Sequence, residues 1–408
     1  MKYSYCHLDN GLRIIHLPSN GEVEYFGMLI NAGSRDELPD QEGLAHFVEH
    51  TIFKGTSKRK SWHILNRMER VGGELNAYTT KEETAVYSIF PFGYLKRAAE
   101  LISDIVRNSS FPEAEIKKEK SVVEEEILSY LDSPADDIYD KFDSYVFAGS
   151  SLSHNILGNT ESLNKLNSPE CSSWLESKFT PSRSVLFYLG KTEARKVFRI
   201  LTQEFGSFER SNTEPFRISP PQNTRFETTI VHPSLHQNHN LLGIRIPGIF
   251  SEKRPTFALL SNILGGPGMN SLLNIELREK LGLVYTIETS LVSYTDCGLL
   301  TIYYGCDQRE QARCDEVIRR TLDRFVKNGM TSNKLRAAKR QFIGQMVLSY
   351  DNNEQNILSS ARSMLHKNKV YSIADNVELI EEINLDDLME IASSLGFDSF
   401  SRLTLKGN

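Results

Sequence analysis

Two histidines and a glutamate stand within five residues of one short apolar segment, GLAHFVEHTIFKGT, residues 43–56. His46 and His50 are four apart, so on a helix they stack on one face with Glu49 beside them. Leu44, Val48 and Ile52 repeat at the same spacing on roughly the opposite side, which suits a helix packed on a core. Such a helix would bury one face and carry a chelate on the other. Two ordinary histidines on a plain helix would give the same pattern. Zinc in catalytic sites usually takes three protein ligands and leaves a fourth position for water, so a third ligand must come from elsewhere.

H-x-x-E-H is a zinc-peptidase signature, the inverted form of H-E-x-x-H, but five residues recur by chance and the remainder of the chain decides their meaning. The candidate partner is a glutamate-rich helix, EAEIKKEKSVVEEEILSYL, residues 113–131. Helical phase separates its three consecutive glutamates. Val123, Ile127 and Tyr130 form a stripe, Glu126 lies within it, Glu125 points nearly opposite, and Glu124 sits at its border. Glu119 falls on the same face two turns before Glu126. A bare charge on a core-facing stripe is costly, so Glu126 needs a metal or a lysine or arginine partner, and phase leaves both open. As a ligand Glu126 would complete the site, with Glu119 orienting a histidine from behind.

The elements that must position these groups fall into two blocks. The segment over 205–227 mixes Ser, Asn, Gln, a Pro-Pro pair and charge without an apolar period, and it reads as a linker near the midpoint. The boundaries drawn from it are a first domain over 1–210, a linker over 211–225 and a second domain over 226–408. Each half runs strand, two helices, two strands and then long helices. The fold class is therefore α+β, with two similar domains, each a mostly antiparallel sheet packed with helices.

Several separated motifs together make the chain resemble the pitrilysin, insulysin and mitochondrial processing peptidase family, the inverzincins, as a short bacterial-type member. They are HFVEH at 46–50, a glutamate 76 residues beyond the second histidine, at Glu126, and Glu119 seven residues before it. GGELNAYTTKEETAVY at 72–87 resembles the family's substrate-binding edge strand. LGGPGMNSLL at 264–273 resembles its glycine-rich turn, and LREKLGLVY carries its Arg-x6-Tyr pair at Arg278 and Tyr285. The resemblance implies a zinc endopeptidase with one Zn2+ per chain held by His46, His50 and Glu126, with Glu49 as general base. It implies peptide binding along Asn76 and Ala77, and Arg278 and Tyr285 acting on the substrate backbone or the developing oxyanion. Two such chains would close as a clamshell around unfolded segments, as a homodimer in preference to a heterodimer with a related chain.

Composition bounds the alternatives. Net charge is −6 over 408 residues, and the absence of a basic-aromatic stripe argues against nucleic acid. No apolar run is long enough to span a membrane. Five scattered cysteines without a CxxC suit a reducing compartment, so a cytoplasmic location is expected. His232, His236 and His239 cluster in VHPSLHQNHN, and Pro233 there favours a solvated loop over a second metal site. A non-catalytic subunit would lose a ligand or the base, and this chain keeps all four. A small-molecule zinc hydrolase would not need an edge strand.

Overall fold

The computed structural model describes residues 3–209, 214–221, 225–232 and 235–407. Its strands are β1 (Ser4–His7), β2 (Arg13–Pro18), β3 (Val23–Ile30), β4 (Glu74–Thr79), β5 (Thr84–Pro91), β6 (Ser184–Gly190), β7 (Glu227–Val231), β8 (Asn238–Pro247), β9 (Val284–Ser293), β10 (Cys297–Cys306) and β11 (Ser401–Lys406). The helices of the first half are α1 (Leu44–Thr51), α2 (Ser61–Glu69), α3 (Leu95–Asn108), α4 (Glu113–Leu131), α5 (Pro134–Val146), α6 (Thr160–Lys165), α7 (Ser168–Lys178) and α8 (Ala194–Phe205). Those of the second are α9 (Arg254–Gly265), α10 (Gln311–Asn328), α11 (Ser332–Tyr350), α12 (Asn353–Lys367), α13 (Ile373–Glu381) and α14 (Leu385–Ser394).

Two compact units result, each α+β as the sequence predicts. The first contains a six-stranded sheet in the order β1-β2-β6-β3-β5-β4, and the second a five-stranded sheet in the order β7-β11-β8-β10-β9. All strand pairs are antiparallel except β2 with β6 and β7 with β11. The order β2-β6-β3-β5-β4 superposes in connectivity on β7-β11-β8-β10-β9, parallel pair included. That correspondence is the structural form of the repeat suggested by the element order.

Each sheet has two apolar faces to cover. In the first unit, Phe26, Met28 and Val86 pack on one face with Val48, Ile52, Met68, Ile102 and Val123 from α1 to α4. On the other face Ile15, Leu29, Ala85, Val185 and Phe187 pack with Ile357, Ala361, Met364 and Leu365 of α12. In the second unit Leu300 and Ile302 face helices α9, α10 and α14, while Leu241, Leu299 and Leu403 face Ile138, Phe142 and Val146 of α5.

The compact units therefore do not follow a single cut over 211–225. Residues 130–153, carrying α5, belong to the second unit, and residues 349–372, carrying α12, belong to the first. The physical reason is that an apolar helical stripe is satisfied by any sheet face the chain can reach, whatever its place in the sequence. Of the predicted linker, 211–213 and 222–224 lie outside the described residues. Arg217 within it is anchored: its guanidinium meets Asp36 at 2.7 Å and Glu82 at 3.6 Å, beside the ion pairs of Arg35 with Glu82 and Arg183 with Asp36.

α12 is also held by charge. Glu83 on the turn between β4 and β5 accepts from Arg362 Nε at 2.7 Å and contacts His366 Nε2 at 2.8 Å. Burial alone would raise the Glu83 carboxyl, but His366 and Arg362 outweigh it and hold it below the ordinary range. A depressed folded pKa contributes stability above the unfolded value near ~4.3, and that contribution fades as pH falls through the folded value. Glu83→Gln should therefore cost about 2 kcal/mol at neutral pH and flatten part of the stability loss below pH ~4, measured by urea unfolding across pH. Met364→Ala, which empties the apolar side of the same contact, should cost about 2–4 kcal/mol at any pH, by the same measurement.

Candidate active site

α1 is set in place before its histidines are considered. Gly43 precedes it at φ +87°, and a Cβ there would lie 2.7 Å from the Leu157 carbonyl, so only glycine fits. The buried Glu37 carboxylate caps the helix, accepting from Gly43 N at 3.1 Å and Ala45 N at 2.8 Å. These bonds satisfy orphan donors at a helix start, where a carboxylate also faces the positive end of the dipole. Burial nonetheless pushes Glu37 well up against those two bonds.

His46 and His50 then stack four residues apart, with ring centroids 4.5 Å apart. α4 brings Glu126 between them: its Oε2 lies 3.3 Å from His50 Nε2 and 3.8 Å from His46 Nε2. Among the described residues, these three are the group whose ligand atoms converge, all within 4.8 Å of one another. Behind them Glu119 accepts from His50 Nδ1 at 3.0 Å and pairs with Lys54 Nζ at 2.7 Å. Val123 and Ile127 of the predicted stripe are buried, and Glu126 is partly so, but Tyr130 is exposed, because the stripe runs off the core near the end of α4.

Electrostatics sort the group. Burial, with His50 nearby, lowers His46 to about 3, so it is neutral, with a lone pair available on one ring nitrogen. Burial also works against a charged His50, but Glu119, Glu126 and Glu49 together overcome it and raise His50. Burial raises Glu49, while the Thr79 hydroxyl and His50 act in the opposite direction. Glu119 is held low by His50 and Lys54 despite its own burial.

These residues fit a zinc ion. Tetrahedral ligands about 2.1 Å from a metal lie roughly 3.4 Å apart, close to the spacings Glu126 makes with the two imidazoles. His46 Nε2 stands 3.8 Å from Glu126 Oε2, too far for a hydrogen bond, so a metal between them would give both atoms a polar partner. Three carboxylates around two imidazoles, with Lys54 paired to one of them, also suit a divalent cation.

β4 lies beside α1 and, among the described residues, pairs on one side only, with β5, leaving its other edge unpaired. Asn76 and Ala77 sit on that edge strand, both half-buried. In the second unit, Arg278 lies in a wide π-helical turn, Asn274–Glu279, where the sequence predicts an ordinary helix. Its guanidinium stands 5.6 Å from the Tyr285 ring centroid, and Tyr285 is 82% exposed. The structure thus brings this pair together within its own unit.

His232, His236 and His239 line a cavity of about 600 Å³ in the second unit with Asp132 and Asp307. They do not converge as metal ligands, and they are not all on a loop. His239 is buried on β8, with Nδ1 2.8 Å from the Tyr303 hydroxyl. Sequence reading missed Glu37, Lys54 and Thr79. Lys54 carries a signal, four residues after His50 and so on its helical face, whereas Glu37 and Thr79 lie in segments with no helical register to place them.

Paired sheet-and-helix repeats, with a His-His-Glu cluster beside an open edge strand, define a metallopeptidase-like architecture. Residues 15–160 match Insulinase (Peptidase family M16), and residues 166–342 match the Peptidase M16 inactive domain. The chain is 31% identical to the "Uncharacterized zinc protease YmxG" of Bacillus subtilis, over 96% of this chain and 95% of that one. It is 30% identical to a zinc protease of Mycobacterium leprae, over 95% of this chain and 88% of that one. A protease of Helicobacter pylori shares the fold at a TM-score of 0.92 and 20% identity, with 99% of each chain covered. The chain belongs to peptidase family M16, the insulinase family. Among the described residues, no helix is long and apolar enough to cross a membrane.

Proposed function

We propose that the chain is a zinc-dependent endopeptidase acting on oligopeptides or unfolded segments. The observation that carries this is the convergence of His46, His50 and Glu126, with Glu119 fixing the His50 tautomer and Glu49 alongside. One Zn2+ per chain would be held by those three residues. When bound, zinc supplies Lewis acidity that brings the pKa of a water toward ~7.

The chain's own residues would do the remaining work. Glu119, by accepting from Nδ1, leaves the His50 Nε2 lone pair directed at the metal position. Glu49 would take a proton from the attacking water and pass it to the leaving amine; burial raises its pKa, which suits both duties. A peptide would add to β4 along Asn76 and Ala77, held mainly by backbone hydrogen bonds. Arg278 and Tyr285 would supply donors to the substrate backbone or the developing oxyanion.

A homodimer in a reducing, cytoplasmic setting is part of the proposal, supported by five free cysteines and by retention of both the ligands and the Arg/Tyr pair. A partner-dependent or non-catalytic subunit is the alternative: zinc binding without hydrolysis of any peptide would favour a missing partner chain, and no zinc binding would favour a non-catalytic subunit.

Glu49→Gln should lower hydrolysis of quenched peptides by at least ~10²-fold while zinc stoichiometry stays at one per chain; unaffected hydrolysis would sink this mechanism. Glu119→Gln should weaken zinc about 10–100-fold, read by competition with a chromogenic chelator, and unchanged affinity would remove Glu119 from its orienting role.

A further inference from the structure

A strand added to β4 would have two faces. In the β4–β5 pair, Asn76 stands opposite Tyr87, Ala77 opposite Val86 and Tyr78 opposite Ala85. Opposed residues share a face. Leu75 and Ala77 lie with Val86 in the core that includes α1, whereas Tyr78 lies with Tyr87 and Ala85 on the face covered by α12. A peptide seated on this edge would send alternate side chains toward the histidine helix and toward α12. The first set meets the reacting groups, and the second needs a place of its own.

That place exists within the same unit. Beside Tyr78 is a cavity of about 430 Å³, lined by Ser349, Gln355, Asn356, Ser359 and Arg362 among others. Its chemistry is weighted toward donors: a guanidinium, two carboxamides and several hydroxyls. Arg362 reaches Glu83 through Nε, at 2.9 and 2.7 Å, and its Nη2 is 3.5 Å from the Tyr78 hydroxyl. The ion pair is asymmetric in exposure, since the Glu83 side chain is 6% exposed and that of Arg362 is 49% exposed. Glu83 is further engaged from behind by His366, and Glu354 by the Tyr87 hydroxyl at 2.6 Å. Of the side chains lining the cavity, Arg362 is the charged one.

We infer that this cavity is a specificity subsite for an aspartate or glutamate side chain of a peptide laid along β4, with Arg362 as the residue that selects it. The inference rests on strand addition at β4 and extends it from backbone recognition to side-chain choice. The acidic group would accept from the guanidinium and from the Asn356 or Gln355 amide. A lysine or arginine would meet the guanidinium with like charge.

The test separates binding from hydrolysis. Labelled host peptides with Ala, Glu or Lys at successive positions are titrated against the Glu49→Gln protein by fluorescence anisotropy. At one position, or at positions two apart, Glu should bind about three- to fivefold more tightly than Ala, and Lys more weakly than Ala. Arg362→Gln should erase the preference. Because Arg362 also anchors α12, the decisive variant is Ser359→Glu, an exposed substitution that should rank Lys above Glu. Equal binding of the three residues at every position, no binding of any peptide, or a ranking unmoved by Ser359→Glu would overturn the subsite. Hydrolysis of the same peptides by the unsubstituted protein is read separately. A binding preference without cleavage would overturn the peptidase reading and keep the subsite. Cleavage without a preference would do the reverse.

Discussion

Glu119 is 7% exposed and accepts from His50 Nδ1 at 3.0 Å and from Lys54 Nζ at 2.7 Å. That shared carboxylate fixes how α4 lies on α1. Its charge would be expensive to bury alone, and the two donors make the burial tolerable. Glu126 follows seven residues later, two turns and roughly 10.5 Å along the helix on nearly the same face. The His50 ring occupies the interval, with Nδ1 turned to one glutamate and Nε2 to the other. Once Glu119 is seated, the place of Glu126 and the tautomer of His50 follow from helix geometry. The apolar contacts of Val48 and Val123 hold the same register from the core side.

How much of this is legible in the sequence depends on whether a feature is periodic. The histidine pair, Glu49, Glu119 and Glu126 all sit on α1 or α4, where spacing alone gives the face; the structure converges His46, His50 and Glu126 and sets Glu119 on His50. The edge strand is legible for a similar reason, since strand, turn and strand follow one another within 74–91 and pair locally. What escapes is non-local. Nothing in the apolar stripe of α12 says that Met364 packs on the sheet of the other half, and nothing in α5 says the converse. Arg217 looks like a linker charge until Asp36 and Glu82 are brought beside it. The Glu37 cap joins residues separated by a turn with no fixed period, so its role appears only once Gly43 has turned the chain.

The repeat makes the exchange of helices understandable. Both units have the same strand connectivity, so each presents an equivalent second face that its own run of helices does not cover. α5 and α12 each cover one such face. An unpaired sheet edge is a separate problem, because a covering helix satisfies side chains and leaves edge N–H and C=O groups unmatched. In the first unit α12 packs on β2, β6 and β3, reaches β4 through Arg362 and the Tyr78 hydroxyl, and leaves the outer edge of β4 without a neighbour strand among the described residues.

Natural edges are commonly protected by lysine, proline or a bulge. β4 reads ELNAYT and has none of these over its six residues, and its pairing with β5 is regular throughout. An unprotected edge kept beside a partly exposed histidine pair is costly to solubility unless something uses it. The same alternation that sends Leu75 and Ala77 to the core and Tyr78 to the α12 face would govern any chain that pairs there. Under the proposed strand addition, backbone recognition at this edge would be inseparable from a two-sided reading of side chains, with one side bounded by the histidine–carboxylate cluster and the other by the half-exposed guanidinium of Arg362. The two faces differ in chemistry, with histidines and carboxylates converging on one and a guanidinium, carboxamides and hydroxyls on the other.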